Sequence, residues 1–113
     1  MNNNKLIEKL QAGETVKFRP KGSSMEPKIK SGALVTVEPC ADINLIKTGD
    51  VVYCKVRGKV YLHLVSAKKD NQLQISNNHG FCNGWTSTVY GKLTNVEKWK
   101  TLRCFSYMEK RKQ

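Results

Sequence analysis

Short runs of apolar residues, separated by glycine and proline, limit the fold of this chain more than any other feature of its sequence. No apolar run exceeds four residues. The runs are rich in β-branched and aromatic residues, which favour strands. Residues 34–38, 51–56 and 60–67 are the clearest candidates, and Arg57-Gly58 suits a two-residue hairpin turn. Strands at such short intervals predict a mainly β fold.

A short helix is predicted before the first strand. Leu6, Ile7 and Leu10 fall on one helical face, residues 2–4 can cap its start, and Gly13 suits its end. The next segment, residues 16–19, alternates apolar and basic residues, as a half-buried strand does.

The second half of the chain is predicted to end in two further strands, residues 89–96 and 99–107. Residues 76–88 are rich in asparagine and glycine and are predicted to form a loop. Within it, Phe81 and Trp85 are expected to anchor the loop to the core.

The length of 113 residues predicts a single domain over residues 1–113, with a core at about 14–107 and a basic C-terminal tail. The apolar runs are too short for a membrane span, and the first ten residues are too polar for a secretory signal. We therefore expect a soluble, cytoplasmic protein.

The four cysteines, Cys40, Cys54, Cys82 and Cys104, are far apart and form no Cys-x-x-Cys pair. This spacing predicts neither a zinc ribbon nor a redox motif, and free thiols are expected in the cytoplasm. No ligand spacing indicates a metal or an organic cofactor.

The net charge is +11, from 20 Lys and Arg against 9 Asp and Glu. Such a charge raises encounter rates with nucleic acid or an acidic protein. The candidate binding residues either precede residue 22 or lie at the predicted hairpin tip: Lys17, Arg19, Lys21, Lys55 and Arg57. The alternative is a solvated basic surface, because aromatic residues are not interleaved with these charges as a single-strand binding platform requires.

The serine turn is the segment Gly22-Ser23-Ser24-Met25-Glu26-Pro27. A serine on a tight turn can present its hydroxyl outward while neighbouring backbone N–H groups converge on one point. That is the geometry of an acyl-transfer site. Without a partner base, the same segment is an ordinary turn.

The serine turn is the first of several stretches that occur in the order found in S24/S26 peptidases. These are Gly22-x-Ser24-Met25-x-Pro27, Gly32, Gly49-Asp50-Val51-Val52, Tyr61-x-His63-x-Val65, Asn77-Asn78 and Tyr90-Gly91-Lys92. Over residues 16–96 the chain therefore resembles this superfamily, which includes self-cleaving repressors such as LexA and the type I signal peptidases. The serine turn and the later Gly-Asp turn are more specific together than apart.

The resemblance implies a strongly bent antiparallel sheet or open barrel with a short N-terminal helix, and a nucleophile at Ser24. The repressors and bacterial signal peptidases use a lysine base, but the corresponding residue here is His63, as in the archaeal and endoplasmic-reticulum type signal peptidases. Neutral imidazole, with a pKa near ~6.5, can accept a serine proton at neutral pH. Backbone N–H groups around Ser23, Ser24 and Met25 would form the oxyanion hole.

A third group usually fixes the tautomer of a histidine base. The histidine-type relatives place an aspartate in the loop that corresponds to residues 76–85, whereas this chain has asparagines there. The candidates are three asparagines and three aspartates: Asn77, Asn78, Asn83, Asp42, Asp50 and Asp70. We assign the role to Asn77, while Asp50 is better explained as a cap of the Gly-Asp turn.

The sequence therefore predicts a stand-alone serine peptidase of the histidine type, acting on polypeptides and encoded by a phage or another mobile element. No helix-turn-helix and no membrane anchor precedes the predicted domain. The alternative is a catalytically inactive, peptidase-like module that engages nucleic acid or an acidic protein partner through its basic surface.

Overall fold

The fold consists of one short helix followed by a series of antiparallel strands, as seen in a computed structural model of the chain. The model describes residues 3–20, 22, 24–26, 28–30 and 32–97. The elements within these residues are α1 (Asn3–Gln11), β1 (Val16–Phe18), β2 (Leu34–Pro39), a 3-10 turn (Ile43–Leu45), β3 (Val51–Val56), β4 (Lys59–Lys69), β5 (Gln72–Ser76), β6 (Cys82–Thr86) and β7 (Val89–Glu97). Lys21, Ser23, the predicted strand at 99–107 and the basic tail lie outside the described residues.

The strands form one seven-stranded antiparallel sheet in the described part of the chain, in the order β1-β2-β7-β3-β4-β5-β6. Register shifts interrupt four of its strand pairs. Such bulges bend the strands and increase their twist. Since β1 and β6 end the sheet without pairing to each other, the sheet stays open. The predicted mainly β fold with a short N-terminal helix is confirmed.

The hairpin between β3 and β4 turns at Arg57 and Gly58, as the sequence predicts. Both residues have a positive φ, of 51° and 84°. This conformation is that of the two-residue turns whose twist matches the flanking strands. The turn fixes the register in which Val52 pairs with His63.

The core is divided between the two faces of the sheet. One cluster, here called the helix-side cluster, contains Leu6, Leu10, Val16, Phe18, Met25, Ile29, Ala33, Val35, Val37, Val51 and Tyr53. The other cluster contains Ile46, Val52, Cys54, Val56, Val65, Leu73, Ile75 and Val89. Along β4, Leu62 packs against the helix-side cluster and Tyr61 against the other. Alternation therefore places His63 on the same face as Tyr61.

The prediction of a loop over residues 76–88 is wrong in part, because β6 lies within it and pairs with β5. The expected anchoring of this segment by its aromatic residues is also wrong. Phe81 is 65% exposed and Trp85 is 41% exposed. The segment is held by backbone pairing instead, with Gln74 opposite Trp85 and Leu73 opposite Thr86.

Candidate active site

Ser24 lies on the turn that follows β1. The N–H of Ile29 donates to the Met25 carbonyl at 2.8 Å, and the N–H of Gly32 donates to the Pro20 carbonyl at 3.0 Å. The side chains of Met25 and Ile29 are buried in the helix-side cluster. These contacts anchor the turn to the core, while Ser24 itself stays half-buried.

The hydroxyl of Ser24 meets the imidazole of His63, which lies 39 residues further along the chain. Ser24 Oγ and His63 Nε2 are 3.0 Å apart. His63 stands in the middle of β4 and is 8% exposed. The structure therefore brings together the two residues that the sequence analysis proposed as nucleophile and base, at the separation that proton transfer requires.

The far nitrogen of the same ring contacts an asparagine on β6. His63 Nδ1 and Asn83 Oδ1 are 2.7 Å apart. A carbonyl oxygen can only accept, so Nδ1 carries the proton in this arrangement. Nε2 is then unprotonated and accepts from the Ser24 hydroxyl. This is the tautomer that a general base needs.

Burial sets the protonation of His63. It lowers the pKa of the ring from its ordinary value of 6.5, because a desolvated imidazole is harder to charge. The hydrogen bond to Asn83 acts in the opposite direction and is the smaller effect. The ring of Tyr61 covers one side of the imidazole, with the two ring centroids 4.8 Å apart. The lowered pKa favours the neutral ring, which is the form that can act as a base.

A cleft of about 570 Å³ opens beside Ser24 and His63. Its lining is largely apolar and includes Leu6 of α1, Phe18 of β1 and Leu62 of β4. The cleft thus has one wall of helix and one of sheet, with the Ser24–His63 pair at its border. Such a groove can hold an extended polypeptide with apolar side chains directed inward.

The family of the chain follows from a comparison with protein-family models. A model described as "Peptidase S24-like" matches residues 4–83, well over half of the chain. The chain belongs to the peptidase S24-like family. Among curated proteins, no significant match is found. The range matched by the S24-like model includes Ser24 and His63 and ends at Asn83.

The third residue of the site in this S24-like protein is not the one that the sequence analysis chose. The Oδ1 of Asn77 accepts from the N–H groups of His79 and Phe81 at 2.8 and 2.9 Å, whereas His63 Nδ1 is bonded to Asn83. Asn83 takes the position instead. The sequence indicates Asn83 only weakly, because residues 76–88 are predicted to form a loop. The direction of a side chain cannot be predicted in a loop as it can in a strand.

Of the three aspartates that the sequence analysis left open, two have other partners and the third is exposed. Asp42 caps the 3-10 turn by accepting from the N–H of Asn44. Asp50 accepts from the N–H of Lys47 at 2.8 Å and forms an ion pair with Lys92 at 3.3 Å. It thus caps the Gly-Asp turn as expected. Asp70 lies exposed on the β4–β5 turn.

The oxyanion-hole residues stay predictions. Ser23 lies outside the described residues, and Met25 contributes a buried side chain to the cleft next to Ser24.

The predicted basic binding residues are spread over two regions. Lys17 is exposed on β1, and Lys55 and Arg57 are exposed at the β3–β4 hairpin. Arg19 borders the cleft and donates to the Gly32 carbonyl at 2.8 Å. The nucleic-acid or protein contacts expected of these residues stay predictions.

The described residues contain no group of three or more His, Cys, Asp or Glu side chains placed to hold a metal ion. In the same part of the chain, no helix has the length and apolar character that a membrane span requires.

Proposed function

We propose that this protein is a serine peptidase in which Ser24 is the nucleophile, His63 the general base and Asn83 the residue that orients the base. The observation that carries the proposal is the continuous line of contacts from Ser24 Oγ through both nitrogens of His63 to Asn83 Oδ1, at 3.0 and 2.7 Å. Membership of the S24-like family supports a polypeptide as substrate.

The proposed reaction begins when Ser24 Oγ attacks a peptide carbonyl carbon and its proton passes to His63 Nε2. The carbonyl oxygen becomes an oxyanion, for which backbone N–H groups around Ser24 are the proposed donors. Collapse of this intermediate breaks the C–N bond, and the proton on Nε2 moves to the leaving amine. Water then hydrolyses the acyl ester with His63 again as base, which restores the Ser24 hydroxyl.

The amide of Asn83 supports this chemistry less strongly than a carboxylate would. It fixes the ring and its tautomer, but it carries no negative charge to stabilise the imidazolium that forms during attack. Burial of His63 compounds the effect, since it disfavours the charged ring. We therefore expect a slow peptidase.

We further propose that the protein acts in the cytoplasm. Cys40, Cys54 and Cys82 are free thiols, which is usual in a reducing compartment. The proposal of a phage or mobile-element origin rests on the resemblance to the phage repressors alone.

The test combines a fluorophosphonate probe with a library of peptides. We expect an adduct on Ser24 by mass spectrometry and cleavage of peptides with apolar side chains. Ser24→Ala should abolish both, and His63→Ala should slow both by about 100-fold or more. Ser66→Ala is the matched control, because Ser66 bonds to Ser76 and Gln74 instead of to a histidine.

A folded protein that neither cleaves any peptide nor accepts the probe on Ser24 would contradict the proposal. It would favour the alternative of an inactive binding module. Salt-sensitive binding to nucleic acid would then be the next measurement.

A further inference from the structure

The loop between β5 and β6, residues 77–81, contacts the serine turn directly. The backbone N–H of Asn78 donates to the Ser24 carbonyl at 2.8 Å. The side-chain Nδ2 of the same residue donates to the Glu26 carbonyl at 3.0 Å. One asparagine therefore holds the turn at two carbonyls, one belonging to the nucleophile and one two residues beyond it.

The loop that carries Asn78 is itself fixed internally. Asn77 accepts at Oδ1 from the N–H groups of His79 and Phe81. Its own N–H donates to the Phe81 carbonyl at 2.9 Å. These hydrogen bonds leave the backbone of the loop few other conformations. The loop can therefore hold Asn78 at a fixed position relative to the sheet.

The serine turn needs such support. Ser24 lies between β1 and β2, outside the sheet, whereas His63 is fixed within β4. A shift of about 1 Å between reacting groups can cost about 100-fold in rate. The two bonds from Asn78 link the serine turn to the end of β5, the strand that pairs with β4.

We propose that Asn78 is a positioning residue, whose side-chain bond to the Glu26 carbonyl holds Ser24 Oγ within hydrogen-bonding distance of His63 Nε2. The effect of Asn78 on the reaction rate rests on the peptidase activity proposed above, whereas its effect on the position of Ser24 does not. Asn83 follows this loop in β6, so the stretch from Asn78 to Asn83 contacts the nucleophile's turn at its start and orients the base at its end.

Two variants of Asn78 test the proposal. Asn78→Ala removes the side-chain donor, and Asn78→Asp keeps the side-chain volume but replaces the Nδ2 donor with an acceptor. The primary measurement is the ¹⁵N chemical shift of His63 Nε2, which reports whether the Ser24 hydroxyl still donates to it. Ser24→Ala gives the reference for a lost bond, and Asn95→Ala is the matched control at an exposed asparagine of β7.

The proposal predicts that the Nε2 shift of folded Asn78→Ala or Asn78→Asp moves toward that of Ser24→Ala, while Asn95→Ala stays at the wild-type value. Circular dichroism checks folding, and the aspartate variant serves if the alanine variant is unfolded. A wild-type Nε2 shift in a folded variant overturns the proposal.

The labelling rate of Ser24 separates this proposal from the previous one. If the protein is a peptidase, labelling of the Asn78 variants should slow by about 10- to 100-fold, because Ser24 Oγ is displaced from its base. If wild type never labels, the peptidase proposal fails, but the Nε2 shift still decides the role of Asn78.

Discussion

Asn83 holds the imidazole of His63 through an uncharged oxygen. The contact is short, at 2.7 Å, and it selects the tautomer that lets Nε2 accept the Ser24 proton. A carboxylate in the same place would do this and also stabilise the protonated ring. In the proposed peptidase, asparagine at residue 83 therefore orients His63, whereas aspartate there would also make it a stronger base.

Asn83→Asp is expected to raise both the pKa of His63 and the rate of Ser24 labelling. In the wild type, burial lowers the pKa of His63, so labelling should fall only at acidic pH, where the ring is protonated. A carboxylate favours the imidazolium, so the acid limb should move to higher pH. The plateau should rise by at least about 10-fold.

The measurements are an NMR titration of the His63 ring and the labelling rate over about pH 5 to 9, a range that brackets imidazole titration. Asn95→Asp adds the same charge at an exposed position and controls for net charge. A His63 pKa unmoved by Asn83→Asp would show that the amide contact does not set the properties of the base.

The pairing of Ser24 with His63 could be predicted from sequence, because the motifs that contain them resemble those of the S24/S26 peptidases. The choice of Asn83 over Asn77 could not. Which asparagine reaches the ring depends on the register between β5 and β6, and a bulge between Ile75 and Ser76 alters that register.

At the scale of elements, β6 shows the limit of local propensity. Its sequence contains asparagine and glycine, which are depleted in strands, so the segment reads as a loop. The strand forms because its backbone pairs with β5 and because Gly84 packs closely against Val56. A Cβ at residue 84 would lie 3.3 Å from Val56 Cγ1. Both causes are long-range and leave no periodic pattern in the sequence.

Gly91 of β7 packs closely against the neighbouring strand β2 and against Leu10 of α1. A Cβ there would lie 2.6 Å from Val37 Cγ1 and 2.7 Å from the Glu38 carbonyl oxygen. Gly91→Ala is therefore expected to lower the free energy of unfolding by about 1–3 kcal/mol, since the backbone oxygen cannot move aside cheaply.

Urea denaturation measures this loss. The midpoint should fall while the slope stays that of the wild type. Asn95→Ala, exposed on the same strand, should change the free energy of unfolding by less than about 0.5 kcal/mol. A Gly91→Ala variant as stable as Asn95→Ala would mean that β2 and β7 separate more easily than their packing indicates.

At the scale of the whole molecule, the open antiparallel sheet and the N-terminal helix were predictable because they rest on many weak signals that agree. Alternation, turn residues and the hairpin at Arg57 and Gly58 each indicate strands. The cleft could not be predicted, since it exists only where α1, β1 and β4 come together.

The net charge of +11 should steer acidic polypeptides toward the cleft, which Arg19 and Lys30 border. We expect kcat/KM for an acidic peptide to exceed that for its neutral counterpart by about 10-fold at low ionic strength. The advantage should vanish between about 10 mM and about 1 M salt, as the Debye length contracts from about 30 Å to about 3 Å. A ratio independent of salt would argue against steering.

Asn83 belongs to β6, which like β1 is an edge strand of the sheet that the described residues form, and which pairs there with β5. Edge strands separate from a sheet at a lower free-energy cost than central strands do. Heating would then break the contact between His63 and Asn83 while β3 and β4 remain paired. If the protein is the peptidase proposed above, it would lose activity at a lower temperature than that at which it unfolds, and the inactivated protein would keep most of its fold.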